Sequence, residues 1–139
     1  MVSWSESKSP SIMKTNVLLI RINKPITDVF RFCITPPNST RWIGHCIGEE
    51  TSDWPVQVGI IYTLHYDNGT MSKVTVSDIK ENEYIEWVSQ DKNYHCRYSF
   101  KSIDNKMTEL EYSEWVEEGE IDSPFELNIL EKLKRVLEK

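Results

Sequence analysis

"VGIIYTLHYDNGTMSKVTVSDI", residues 58–79, reads as two strands folded back on a turn. In its first arm Val58, Ile60, Tyr62, Leu64 and Tyr66 fall on alternate positions, so they share one face of a strand. Asp67, Asn68 and Gly69 supply the residues a tight hairpin needs. The same period of two continues downstream. "YIEWVS" (84–89) puts Ile85 and Trp87 on one face, and "YHCRYSFKSI" (94–103) and "MTELEYSEWVEEG" (107–119) follow. The connections "KENE", "DKN" and "DNK" are short and polar. Strands joined in succession by short turns describe an antiparallel meander through residues 45–117.

Outside the meander the period changes. "NVLLIRIN" (16–23) is a further strand, with Leu18, Ile20 and Ile22 on one face. In "PITDVFRFCI" (25–34), Val29, Phe30, Cys33 and Ile34 recur at the spacing of one helix face. Pro36 and Pro37 stop that helix, and Asn38 is placed to cap a short second one over 38–44. At the other end Ser123, Pro124 and Glu126 form a capping signature. Phe125, Ile129, Leu130, Leu133, Val136 and Leu137 then make an apolar stripe to the terminus. The expectation is a flexible N-terminal arm, 1–14, and a single α+β domain, 15–139, whose terminal helix is buried against the sheet.

Composition narrows the partners. The 139 residues include five Trp and six Tyr, and 39% of the chain is hydrophobic. A formal net charge of −6 disfavours nucleic acid and anionic membrane surfaces, which need a basic footprint. No stretch is long and apolar enough to insert in a membrane, and the N-terminus does not read as a secretory signal. Three cysteines, an odd number, argue against a disulfide framework and fit a reducing compartment, so a cytoplasmic location is expected. The sequons at Asn38 and Asn68 are then chance matches.

The run "YHCRYSF" (94–100) looks reactive until its faces are separated. On a strand, Tyr94, Cys96, Tyr98 and Phe100 point one way and His95, Arg97 and Ser99 the other. His95 and Cys96 therefore cannot form a dyad or share a metal. Paired zinc-ligand spacings such as CxxC do not occur, so no metal is expected. Cys96 reads as a small buried thiol.

The strand order, "INKPITDVFRFC" after the first strand, "PPNSTRW", "VGIIY" and the amphipathic terminal helix together resemble the Bet v 1-like, START-related (SRPBCC) superfamily, in its polyketide cyclase/dehydrase and Aha1-like branch. The resemblance implies a helix-grip fold: a curved antiparallel β-sheet wrapped around a long C-terminal helix, with two short helices after the first strand. It also implies a cavity between sheet and helix for a hydrophobic or amphipathic small molecule or lipid, with no cofactor. Alternatives within the same fold are a cyclase or dehydratase-type enzyme using a pocket carboxylate and tyrosines, and an Aha1-like protein-interaction module.

Alternation supplies the candidate ligand-binding residues. These are Tyr62, Leu64 and Tyr66, Trp87, Tyr94, Tyr98 and Phe100, and Tyr112 and Glu114, with Trp42 closing one end. The competing expectation is an aromatic core with no room inside. Five tyrosines on one concave face are easier to satisfy around a cavity, because a buried hydroxyl needs a partner. In "LEYSEWV" (110–116) Glu114 is the one carboxylate on an apolar face, and it is the candidate general acid or base. Trp115 falls on the outward face, where it marks a protein contact or covers an edge. Weak homodimerisation is left open.

Overall fold

The computed structural model describes residues 13–139. The first strand, β1, is Thr15–Ile22, and α1 is Ile26–Ile34. A 3₁₀ turn over Asn38–Arg41 precedes six strands: β2 Cys46–Thr51, β3 Ile61–Tyr66, β4 Met71–Lys80, β5 Tyr84–Ser89, β6 Tyr94–Asp104 and β7 Met107–Val116. The last helix, α2, is Leu127–Leu137. Among the described residues the strands form one antiparallel sheet in the order β1-β7-β6-β5-β4-β3-β2, curled into a half-barrel. This is the helix-grip α+β fold. The expected arm lies outside the described residues except for Met13 and Lys14. Their carbonyls accept backbone bonds from Ile121 (2.7 Å) and Val116 (3.0 Å).

Local chemistry sets the boundaries. Helix α1 buries Val29, Phe30, Cys33 and Ile34, the predicted stripe. It ends at Thr35, which has φ −94° and ψ 117° because the following Pro36 disfavours helical geometry there. The second helix is only a 3₁₀ turn. Asn38 does not cap it; its side-chain amide donates to the Phe32 carbonyl at 3.1 Å instead. The strand expected from residue 58 begins at Ile61, because Gly59 has φ 96° and Val58 turns out to solvent. Ile60 still pairs across to Val76 at 2.8 Å, which carries its side chain into the core.

The helix expected from residue 124 starts later. Ser123 takes φ 54° and Glu126, the actual cap position, is extended with no side-chain cap bond. That leaves α2 eleven residues long, with Leu130 and Leu133 fully buried against the inside of β1 and the core. The core fills the space between the concave sheet face, α1, the 3₁₀ turn and α2. Phe30 meets Phe100 edge-on at 5.2 Å, and Trp87 meets Tyr98 at 4.9 Å. Residues 117–126 carry no regular structure, and they place Phe125 over the sheet.

Candidate functional site

The concave face holds a partly open cavity of about 110 Å³ under β2–β7, bordered by α1, the 3₁₀ segment and Phe125. Seven of the ten residues predicted for a site line it: Tyr62, Leu64 and Tyr66 from β3, Trp87 from β5, Tyr94 and Tyr98 from β6, and Tyr112 from β7. The other three lie behind the wall. Trp42 is fully buried and packs on Tyr98 and Phe125, at 6.2 and 6.3 Å between centroids. Phe100 packs against α1. Glu114 is 1% exposed and reaches the cavity only through its neighbours.

Glu114 sits in a cage of four donors. Its Oε1 accepts the hydroxyls of Tyr94 (2.6 Å) and Tyr112 (3.0 Å). Its Oε2 accepts the Asn16 amide (2.8 Å) and the backbone N–H of Phe125 (2.8 Å). Asn16 also donates to the Phe125 carbonyl at 2.9 Å. Two bonds on each oxygen use up a carboxylate's acceptor sites, so nothing is left for a ligand. What Glu114 does in this geometry is tie β1, β6 and β7 to the segment before α2. Phe125 is held flat on the Tyr112 ring as a result, 4.3 Å away with 6° between planes.

The carboxylate on the cavity wall is Glu49, which alternation along 45–51 did not assign. A register shift between Cys46 and Gly48 re-aims the end of β2, so that Glu49 stands opposite Leu64 and Thr51 opposite Tyr62. Directly paired residues share a face, and Leu64 and Tyr62 face inward. The available sequence signal was the isolated Gly48 inside a strand pattern, a mark of a bulge. Glu49 accepts the backbone N–H of Ser39 at 3.1 Å on one oxygen and the Ser39 hydroxyl at 2.7 Å on the other. Burial raises its carboxyl above the ordinary range, and the two Ser39 bonds oppose that. Sequence reasoning also did not place Cys33, Ser39, Ile43, Ser72, Val74 and Phe125 on this wall.

Cys33, Cys96 and Tyr62 are held neutral. Burial pushes the Cys96 thiol up to about 12, and raises Cys33 and Tyr62 too, helped by the charge of Glu49. A cysteine nucleophile works as its thiolate, so these thiols act as small apolar groups. Tyr62 donates to the Ile34 carbonyl at 2.6 Å, satisfying the end of α1. Tyr66 and Ser72 pair their hydroxyls at 3.2 Å. Trp87, 6% exposed, leaves its indole Nε1 with no partner among the described residues.

The family described as "Domain of unknown function (DUF3284)" matches residues 44–133, from the start of β2 into α2. The chain belongs to the DUF3284 family. No curated protein matches it. Among solved structures, a START superfamily protein from Mycobacterium smegmatis superposes with a TM-score of 0.70 at 13% identity, over 89% of this chain and 97% of that one. The Aha1 dimer from Colwellia psychrerythraea gives 0.67 at 15% identity, over 91% and 97%. A polyketide-cyclase-like protein from Corynebacterium glutamicum gives 0.56 at 21% identity, over 78% and 68%. These likenesses show a START-like helix-grip fold.

The stretch matching the DUF3284 family contains Glu49, Glu114 and every strand that lines the cavity. It excludes Cys33, Ser39 and Ile43, which come from the roof. The chain has a second cleft of about 320 Å³ on the far side of α1, over Phe30 and Ile34 and walled by Trp54, Val56 and Ile79. Its charged residues, Arg31 and Glu81, are exposed. On the convex face His95 stacks on Trp115 at 5.0 Å with 2° between planes, its Nε2 lying 2.9 Å from Glu117. His95 and Cys96 thus point apart. Among the described residues no three His, Cys, Asp or Glu side chains converge on a metal position, and no helix is long and apolar enough to cross a membrane.

Proposed function

We propose that this DUF3284 chain binds a small, mainly apolar molecule in the cavity beneath β2–β7, using one domain of residues 15–139. The observation that carries the reading is the cavity itself: a concave aromatic wall with a few convergent polar groups, which is the usual composition of a ligand site. Its size sets the ligand. Common small-molecule pockets run from about 300 to 1,000 Å³. An apolar cavity of roughly 150 Å³ takes benzene. At about 110 Å³ this one is smaller still, so it holds at most one small ring, with any substituent at its open side, and excludes a lipid chain. The START-like and polyketide-cyclase-like neighbours share the fold, which supports a ligand-holding role for its concave face. Tyr62, Leu64, Tyr66, Trp87, Tyr94, Tyr98 and Tyr112 contact the ligand. Trp42, Phe100 and Glu114 act from behind, Glu114 as a positioning residue for Phe125 and the two tyrosines.

The test is ligand-observed NMR with benzyl alcohol on the wild type and on Val74→Phe. Val74 is half-buried on the wall, so the added ring occupies the space a ligand would use. Binding in the millimolar range or tighter is expected for the wild type, and its loss for the variant with the fold retained. Equal signals from both proteins would place the probe on the outer surface and leave the concave face a packed core.

A further inference from the structure

The polar groups of the cavity are unevenly distributed, and their imbalance specifies the charge of the ligand. No Lys, Arg or His is among the described residues that line it. The one charged group there is Glu49. Each of its oxygens accepts a single bond, from the N–H and the hydroxyl of Ser39, and a carboxylate has room for about four. Glu49 therefore keeps an acceptor site on each oxygen. Tyrosine rings and Trp87 line the same cavity, and an aromatic ring attracts a cation held over its face within about 6 Å. The titratable neighbours that sense Glu49 are Cys33 on α1, Cys46 on its own strand, Tyr62 on β3 and Tyr98 on β6. Burial keeps all four protonated, so none supplies a competing anion or a cation. An anionic ligand would face one carboxylate, several ring faces and no basic group.

We propose that the cavity selects a compact single-ring amine, whose ammonium donates to Glu49 while its ring lies among the aromatic walls. This rests on the reading of the cavity as a ligand site and goes beyond it by naming the chemical class.

Three probes of nearly equal size separate the two ideas: benzylamine, benzyl alcohol and benzoate, titrated near neutral pH at about 0.15 M salt, where exposed charges more than ~8 Å apart are screened. That matters because a chain of formal charge −6 attracts amines nonspecifically. Binding is followed at the Trp87 indole N–H resonance, which reports the cavity and no other surface. Benzylamine should bind at least about tenfold more tightly than benzyl alcohol, the size of one charge-assisted hydrogen bond. Benzoate should bind weakest. In Glu49→Gln the amine advantage should fall to within about twofold while benzyl alcohol binds as before. The wild-type ordering is readable even where the variant fails to fold. If benzyl alcohol binds and benzylamine is not preferred, the amine assignment is overturned and the cavity reading stands. If none of the three moves the Trp87 resonance, both are overturned. An amine preference that survives in Glu49→Gln likewise removes Glu49 from the role.

Discussion

Among the described residues Glu114 and Glu49 are carboxylates turned to the interior, and the structure treats them in opposite ways. Glu114 receives four donors and has no acceptor site left. Glu49 receives two, both from Ser39, and keeps half its capacity. The first is a structural bolt: it joins strands β1, β6 and β7 to the irregular segment before α2. The second lies on the cavity wall, where it remains able to meet a guest. A carboxylate on an apolar face is thus a poor guide to function until its donors are counted. Saturation makes a buried acid part of the framework, and incompleteness makes it a candidate for binding.

The comparison can be broken most visibly at Cys96, which pairs directly with Glu114 across β6 and β7. Burial lifts its thiol from 9.0 to about 12. Near pH 8 that shift leaves about a thousandfold less thiolate than in the unfolded chain, and alkylation should slow accordingly. Timed iodoacetamide labelling with mass spectrometry checks this. Labelling at the unfolded rate would show a wall that opens freely. Glu114→Ala should speed native labelling by loosening that wall.

The same substitution tests the bolt directly. It strands the Phe125 N–H and two tyrosine hydroxyls and leaves the Asn16 amide only its bond to the Phe125 carbonyl, and the tyrosines can recover part of the loss through each other at 3.3 Å. A destabilisation of about 3–4 kcal/mol in urea unfolding is expected, since each unmet buried group costs about 1–3 kcal/mol and such costs do not simply add. A loss below about 1 kcal/mol would erase the distinction between the two acids.

Phe125→Ala should cost somewhat less, about 2 kcal/mol, because the ring is half-buried yet stacked on Tyr112 and edge-on to Trp42. It should also widen the mouth and shorten the residence of benzyl alcohol, as read from NMR line shapes. An unchanged residence time would mean that Phe125 is framework and not part of the roof.

The smallest effect belongs to Glu49→Gln, expected within about 1 kcal/mol of wild type near neutral pH. Its sign changes with pH in a defined way. Burial raises the Glu49 carboxyl in the folded state above its ordinary 4.5. Folding therefore favours the protonated form, and the stability this contributes is present below pH 4.5 and lost as pH rises through the folded value. The variant has no such loss. Its melting temperature relative to wild type should move upward as pH increases from about 4. A difference that moves downward over the same range would show that the Ser39 bonds outweigh burial.

The sequence by itself determined the element order, the identity of the concave face and the separation of His95 from Cys96. Those features follow from alternation along strands, a local regularity that short turns such as Asp67-Asn68-Gly69 preserve. The stripe of α1 was legible for the same reason at period 3.6. Only the tertiary structure decided three other things. It placed Glu49 on the cavity wall, because one shifted register between Cys46 and Gly48 reverses what alternation predicts. It began α2 at Leu127 rather than 124, because the backbone N–H of Phe125 is bound by Glu114, a partner 11 residues back along the chain. It also made Glu114 a bolt rather than a free acid, since its donors come from Asn16, Tyr94, Tyr112 and Phe125, and the carboxylate's contacts with Asn16 and Tyr94 span 98 and 20 positions. A side chain's face is written in its near neighbours, whereas the number of donors that reach it depends on residues that only folding brings together.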